Sequence, residues 1–312
     1  MSILVTGGAG FIGSHLCEAL LDQGKQVVCV DNFDPFYPKE RKMANLAPIR
    51  KKENFIFKEL DILDGHLKGL MSDYSPEGVV HFAARPGVRP SVADPFIYEE
   101  INVRGTLNVL EAATNFGVKN FVFISSSSVY GNCPRMPWKE TYEPLPASPY
   151  GASKLAGEAY VRSYSELYGL NASCLRYFSI YGPRQRPDLA ISKFTDCILN
   201  KRPIQMFGDG SSRRDYTYIT DAVSATLAAL RKKFRFEVFN IGNSNPVQLA
   251  RLINLLEQNL NRKARVKKVA PQKGDLKDTS ADISKARKML GFSPKVGIEE
   301  GIERYIRWKV GE

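Results

Sequence analysis

Short apolar runs recur along the first 177 residues, bounded by glycine or polar residues and separated by stretches with apolar positions three and four apart. Residues 3–6, 27–30, 55–59, 78–82, 121–125 and 172–177 read as buried strands, and 14–23, 101–116 and 153–168 as amphipathic helices between them. This alternation predicts the α/β class, with a Rossmann-type doubly wound parallel sheet. Beyond residue 177 the regularity breaks into Gly-Pro and Gly-Asp-Gly turns, followed by a strand near 237–241 and helices at 249–259 and 298–309. A smaller mixed α/β substrate-binding domain is expected there. It would be interleaved with the first, the Rossmann part taking 1–177 plus about 217–243 and the second part 178–216 and 244–312.

The first strand runs into glycines readable as Gly7-x-x-Gly10-x-x-Gly13 or Gly8-x-Gly10-x-x-Gly13, with Phe11 and Ile12 inside the turn and a helix pattern after it. In either frame, side chains are missing where backbone would meet a pyrophosphate seated on free N–H groups at the positive end of a helix. The second strand ends in Asp31, roughly 20 positions on, where a carboxylate accepts the adenosine ribose hydroxyls. Asp31 would repel a 2′-phosphate, so NAD is favoured over NADP.

Composition narrows the class further. A chain of 312 residues exceeds the usual single core of roughly 100–200. It enters a core strand without a basic leader, and no apolar run approaches the ~20 residues of a membrane span, so a cytoplasmic protein without membrane association is expected. Five scattered cysteines and the dispersed His15, His66 and His81 argue against a disulfide framework or a metal site. The net charge of +11 resides partly in runs such as 39–42, 50–52, 231–235 and 262–268. These read as solvated faces, and with no nucleic-acid motif beside them no nucleic-acid partner is expected.

The candidate chemistry lies in Ser125-Ser-Ser-Ser-Val-Tyr-Gly131 and Tyr150-Gly-Ala-Ser-Lys154. Tyrosine and lysine four apart share a helix face. Using a phenol as a base near neutrality requires a depression of about three pH units, about 4 kcal/mol in favour of the anion. One cation about 4 Å away in a partly screened site supplies about that much. Lys154, helped by a positive nicotinamide ring, is the expected source, and Ser126 would hydrogen-bond the oxygen that becomes a carbonyl.

These motifs, together with Asp61-Ile62, His81-Phe-Ala-Ala84, Asn102, Arg176-Tyr-Phe-Ser-Ile-Tyr-Gly-Pro-Arg184, Phe207-Gly-Asp-Gly210 and Arg213-Arg-Asp-Tyr-Thr-Tyr-Ile-Thr-Asp221, resemble the extended short-chain dehydrogenase/reductase family over essentially the whole chain. Within it the nucleotide-sugar epimerases are most similar. The resemblance implies Ser126, Tyr150 and Lys154 as catalytic residues. It implies NAD contacts from Gly7, Gly10, Phe11, Ile12, Gly13, Asp31, Asn32, Asp61, Ile62, Phe82, Ala83, Ala84, Asn102, Ser125, Tyr150, Lys154 and Tyr177. For a UDP-sugar it implies Arg89, Ser126, Ser127, Ser128, Ser179, Arg186, Ala190, Phe207, the diphosphate-binding Arg214, and Asp275 on the nucleotide ribose.

Dehydratases and decarboxylases of the family carry an acid in the segment matching Ser127-Ser128, and hydroxyls stand there instead. That leaves oxidation and reduction at carbon 4, which is epimerisation. UDP-galactose 4-epimerases usually have asparagine at Ser179 and lysine at Pro86, whereas segments 31–37, 85–91 and 182–190 resemble UDP-glucuronate 4-epimerases. Arg186 with Ser127, Ser128 and Ser179 would form a charge-assisted set for a carboxylate. Alternatives are a UDP-glucose or UDP-N-acetylglucosamine 4-epimerase and, from another class, a non-catalytic NAD-binding regulatory or RNA-associated module. The resemblance also implies a homodimer paired through helices near 105–116 and 153–168.

Overall fold

The computed structural model describes residues 2–270 and 276–311. Seven strands form one parallel sheet: β1 (Ser2–Thr6), β2 (Gln26–Asp31), β3 (Phe55–Glu59), β4 (Gly78–His81), β5 (Asn120–Ser126), β6 (Asn171–Tyr177) and, after a long excursion, β11 (Phe236–Ile241). Their spatial order is β11-β6-β5-β4-β1-β2-β3. The chain winds outward from β1 to β3 and then crosses back to β4, so the order reverses between β1 and β4. A crevice opens at the carboxyl ends of these strands, where ligands bind in such sheets.

Both faces are covered, which is why β1 and β5 read as near-continuous apolar runs and are buried along their whole length. Alternate side chains go to opposite cores. Ile3 and Val5 join Leu16 and Leu20 of α1 (Phe11–Asp22) and Ala222, Ala225 and Ala229 of α9 (Ile219–Arg231) on one side. Leu4, Val79, Phe121 and Phe123 meet Val109 and Ala113 of α6 (Gly105–Asn115) and Val161 of α7 (Pro149–Tyr168) on the other.

Shorter elements not anticipated from periodicity are α2 (Lys39–Leu46), α3 (Leu67–Tyr74), α4 (Val88–Ala93) and α5 (Pro95–Glu99). The helix expected at 101–116 opens with a π turn over Glu100–Arg104 before α6 begins. Outside the main sheet, β7 (Ile180–Tyr181) pairs with β10 (Thr217–Tyr218), β9 (Arg213–Asp215) with β12 (Pro246–Gln248), and β8 (Ile204–Phe207) with β13 (Val266–Val269). The helices α8 (Ala190–Leu199), α10 (Leu249–Leu260), α11 (Ser284–Leu290) and α12 (Ile298–Val310) complete this region. Among the described residues no helix is long and apolar enough to cross a membrane. One basic run departs from the solvated reading. Lys42 of α2 is buried, because its ammonium reaches inward to the Asp31 carboxylate at 3.2 Å.

Candidate active site

A cavity of about 530 Å³ follows the carboxyl ends of β1, β2, β4, β5 and β6. At one end lies the glycine turn. Gly7 adopts φ 66°, and a Cβ there would stand 2.7 Å from the Ala83 nitrogen; on Gly13 it would stand 2.4 Å from the Gly7 carbonyl oxygen. Backbone closeness of this kind admits only glycine. Gly10 caps α1 without any side-chain bond, and no acid lies in the first turn, so the helix's positive end is open toward the cavity. This cradle fits a dinucleotide pyrophosphate.

Asp31 is buried at the end of β2. Its Oδ1 accepts from the Phe33 N–H at 2.9 Å and from Lys42, and its Oδ2 from the Ala9 N–H at 3.2 Å. Three of a carboxylate's roughly four acceptor positions are therefore filled, which leaves less for a ribose than expected. Lys42 also neutralises part of the charge on which rejection of a 2′-phosphate was argued. Beside it the Asn32 amide donates to Asp61 at 2.7 Å, joining the ends of β2 and β3.

The chemistry-bearing end is built by α7. Ser148 caps this helix by accepting from the Gly151 N–H at 3.1 Å, and Pro149 occupies its first turn. Tyr150 and Lys154 thus begin one face, one turn apart. Lys154 is buried, with its ammonium donating to the Ile124 carbonyl at 2.9 Å and 5.0 Å from the Phe123 ring centre. Burial pulls it down to about 8, opposed first by Glu158. Tyr150 is not depressed as expected. Burial raises its phenol above the ordinary value, and the opposing influences are the Ser126 hydrogen bond and then the Arg186 charge rather than Lys154. Ser126 also caps the short turn Ser127–Val129 by accepting from the Ser128 N–H at 3.1 Å.

Near Tyr150 two guanidiniums flank one ring, Arg85 at 5.0 Å and Arg186 at 5.6 Å from the centre of Phe36. Arg85 pairs with Asp34 at 2.5 Å, and Arg186 binds Asp188 through Nε and Nη2 at 2.9 Å each. Ser179 lines the same end in a left-handed conformation, φ 29°, that few residues other than glycine and asparagine adopt. Farther along, the Arg214 guanidinium donates to the carbonyls of Arg213, Leu276 and Lys277.

The cavity wall brings together Gly7, Gly10, Phe11, Ile12, Gly13, Asp31, Asn32, Asp61, Ile62, Phe82, Ala83, Ala84, Ser125 to Ser128, Tyr150, Lys154, Tyr177, Ser179, Arg186, Ala190 and Arg214. Three expected residues are placed differently. Asn102 is buried off the wall, its amide bonded to both backbone groups of Arg85 and to Ser153. Arg89 and Phe207 are not on the wall either; they stack on each other at 4.1 Å, tying α4 to β8. Asp275 lies outside the described residues. Two further expectations shift in detail, since the Ser125 hydroxyl donates to Glu158 at 2.5 Å and the Tyr177 hydroxyl bonds Thr226.

Residues that the sequence reading missed include Asp34, Phe36, Tyr37, Lys42 and Arg85, all on the wall. The buried Tyr37 hydroxyl lies 3.9 Å from where a Gly10 Cβ would be. The dense aromatic and basic content of 33–42 was the available signal.

A family model described as NAD dependent epimerase/dehydratase matches residues 3–242. A UDP-glucuronate 4-epimerase of Thermodesulfobacterium geofontis is 43% identical over 98% of this chain and 95% of its own. The structure of a Bacillus cereus UDP-glucuronic acid 4-epimerase in complex with UDP-glucuronic acid and NAD superposes with a TM-score of 0.95 at 39% identity, covering 100% of both chains. A Thermotoga maritima UDP-glucose 4-epimerase with UDP-glucose gives 0.92 at 36%, over 100% of this chain and 99% of the other. With its doubly wound sheet, glycine cradle and Ser126/Tyr150/Lys154 set, the chain belongs to the NAD dependent epimerase/dehydratase family.

Proposed function

We propose that the protein epimerises carbon 4 of a UDP-sugar through a transient 4-keto intermediate, converting UDP-glucuronate to UDP-galacturonate. The observation that carries the reading is the placement of Arg186 on the same cavity wall as Tyr150 and Ser126, close enough for its charge to act on the Tyr150 phenol. A guanidinium there suits a sugar carboxylate. Two of the three similar proteins named above, the Thermodesulfobacterium geofontis and Bacillus cereus enzymes, support the same substrate, whereas the Thermotoga maritima one holds UDP-glucose.

NAD, held by the glycine cradle, Asp31, Asn32, Asp61, Ile62 and the 82–84 segment, would take the carbon 4 hydride and give it back. Tyr150, its anion favoured against burial by Ser126, by Arg186 and by the positive nicotinamide ring once NAD is bound, would remove the 4-hydroxyl proton, and Ser126 would donate to the oxygen that becomes the carbonyl. Arg214 holds the nucleotide diphosphate while the keto sugar turns over, and Tyr150 then returns its proton to the opposite configuration. Arg186 and the hydroxyls of Ser127, Ser128 and Ser179 keep the carboxylate near the ring plane. A β-keto acid loses carbon dioxide when the breaking bond aligns with the carbonyl π system, so this hold protects the intermediate.

The main sheet, residues 1–177 with about 217–243, serves NAD in this reading, and 178–216 with 244–312 the sugar nucleotide. Phe96, Leu167 and Tyr168 are 81%, 74% and 58% exposed, and the last two end α7, which supports a homodimer through that helix. Five free cysteines support a reducing, cytoplasmic setting. The test is proton NMR of the protein with NAD and, separately, UDP-glucuronate, UDP-glucose and UDP-N-acetylglucosamine. UDP-galacturonate alone is the expected product; product from a neutral sugar alone would overturn the carboxylate assignment.

A further inference from the structure

Tyr150, Lys154 and Glu158 stand at i, i+4 and i+8 on α7, and each meets a different one of the last three residues of β5. Tyr150 lies close enough to Ser126 for that hydroxyl to act on its phenol, the Lys154 ammonium bonds the Ile124 carbonyl at 2.9 Å, and Glu158 accepts from the Ser125 hydroxyl at 2.5 Å. The first two belong to the reaction already described. Glu158 does not line the cavity and is 5% exposed.

Its carboxylate is held from the neighbouring strand as well. Arg176, the β6 residue in register with Ser125, donates Nε to Oε1 at 2.9 Å and Nη2 to Oε2 at 2.7 Å, and its guanidinium lies 4.8 Å from the Tyr130 ring centre. A bidentate, hydrogen-bonded pair is the geometry in which a buried ion pair is tolerated. An apolar pair would fill this part of the core without desolvating two charges, so a carboxylate one turn behind Lys154 calls for a reason beyond packing.

We propose that Glu158 is a positioning residue for the epimerase reaction: locked by Arg176, it fixes the strand end carrying Ser126 against α7 and sets its carboxylate one turn behind Lys154. The proposal rests on the reading of function above. The titratable groups that interact with Lys154 are Glu158 on its own helix, His81 of β4 and Cys174 of β6, and Arg176 stands behind Glu158. His81 stays neutral under burial and the Cys174 thiol is pushed up by burial, so Glu158 is the anion that keeps Lys154 charged near neutral pH.

The test follows the Lys154 ammonium by NMR in protein labelled at lysine side chains, with Lys154→Arg assigning the signal. In Glu158→Gln the titration midpoint falls by about one pH unit or more, since an anion is lost and the Arg176 cation is uncovered. The alkaline limb of kcat for UDP-glucuronate moves with it, and at neutral pH kcat falls about tenfold while KM stays within about twofold. Should that variant not fold, Glu158→Gln/Arg176→Gln leaves no uncompensated buried charge. Its midpoint lies between those of Glu158→Gln and the wild type. An unchanged midpoint in either variant overturns the proposal. Absence of wild-type turnover overturns the reading of function instead, and the titration stands apart from it.

Discussion

Arg186 grips Asp188 through Nε and Nη2, 2.9 Å each, so the fork proposed for a substrate carboxylate already holds one from its own loop. UDP-glucuronate has to share or displace that partner. Asp188→Asn is expected to lower KM for UDP-glucuronate by about three- to tenfold, on the order of 1 kcal/mol, and to leave a neutral UDP-sugar unaffected. Arg186→Ala acts oppositely, lowering kcat/KM for UDP-glucuronate by about 10- to 100-fold. Steady-state kinetics on UDP-glucuronate, with UDP-glucose measured as a competitive inhibitor, decide; parallel changes for the two sugars would remove Arg186 from carboxylate recognition.

Tyr150→Phe deletes only the ionisable oxygen. Turnover is expected to fall by about 10²- to 10⁴-fold or more, with bound NAD retained. NMR of the sugar and the NAD released on denaturation report the two halves separately. Full activity in this variant would sink the mechanism.

Gly13 tests the cradle. A Cβ there would meet the Gly7 oxygen at 2.4 Å and the Gly8 Cα at 2.8 Å, both backbone atoms with nowhere to move. Gly13→Ala should therefore yield a protein that carries no NAD. Stoichiometric NAD in the purified variant would show that the turn is not where the pyrophosphate sits.

The seven strands of the main sheet and the glycine turn were legible because buried strands and close backbone approaches leave direct marks: apolar runs, and missing side chains. Helix α9 left a weaker mark, since its buried face is mostly alanine at 222, 225 and 229 and its start coincides with the Arg213–Asp221 motif. That Asp34, Phe36, Tyr37 and Arg85 form one wall was not legible, although segments 31–37 and 85–91 stood out. It depends on β2 and β4 lying on opposite sides of β1, which brings residues about 50 positions apart to one ring. Asn102 was read as a cofactor ligand, yet its amide is spent on Arg85 and Ser153, a choice made by tertiary bonding that no motif records. The charge acting on Tyr150 was likewise assigned to Lys154 from helix spacing, which cannot show that its ammonium reaches back to the Ile124 carbonyl.

Leu167 and Tyr168 sit exposed at the end of α7, although leucine and tyrosine gain from burial. If a second copy covers them, Leu167→Glu should shift the sedimenting species from dimer to monomer. A wild type that already sediments as a monomer would remove the homodimer.

His81 sets an acid limit on stability. It is buried, with Nε2 3.0 Å from the Thr106 hydroxyl and Nδ1 2.7 Å from the Thr6 hydroxyl. Thr106 donates onward to the Asn102 carbonyl, so its oxygen is free to accept from Nε2–H, and the ring is bonded as the neutral tautomer. Burial, and then the Lys154 charge, lower its pKa to about 3 from an ordinary 6.5. The unfolded chain therefore takes up a proton below about 6.5 that the folded protein refuses until about 3. Stability is full above the unfolded value and declines as pH falls through that window, by on the order of 1 kcal/mol per pH unit from this residue. Carboxylates add their own loss below about pH 5, so the informative range is 6.5 to 5. There the melting temperature of the wild type should drop, while His81→Asn, whatever its absolute stability, should show a flatter curve. Parallel curves would mean that His81 is not the group refusing the proton.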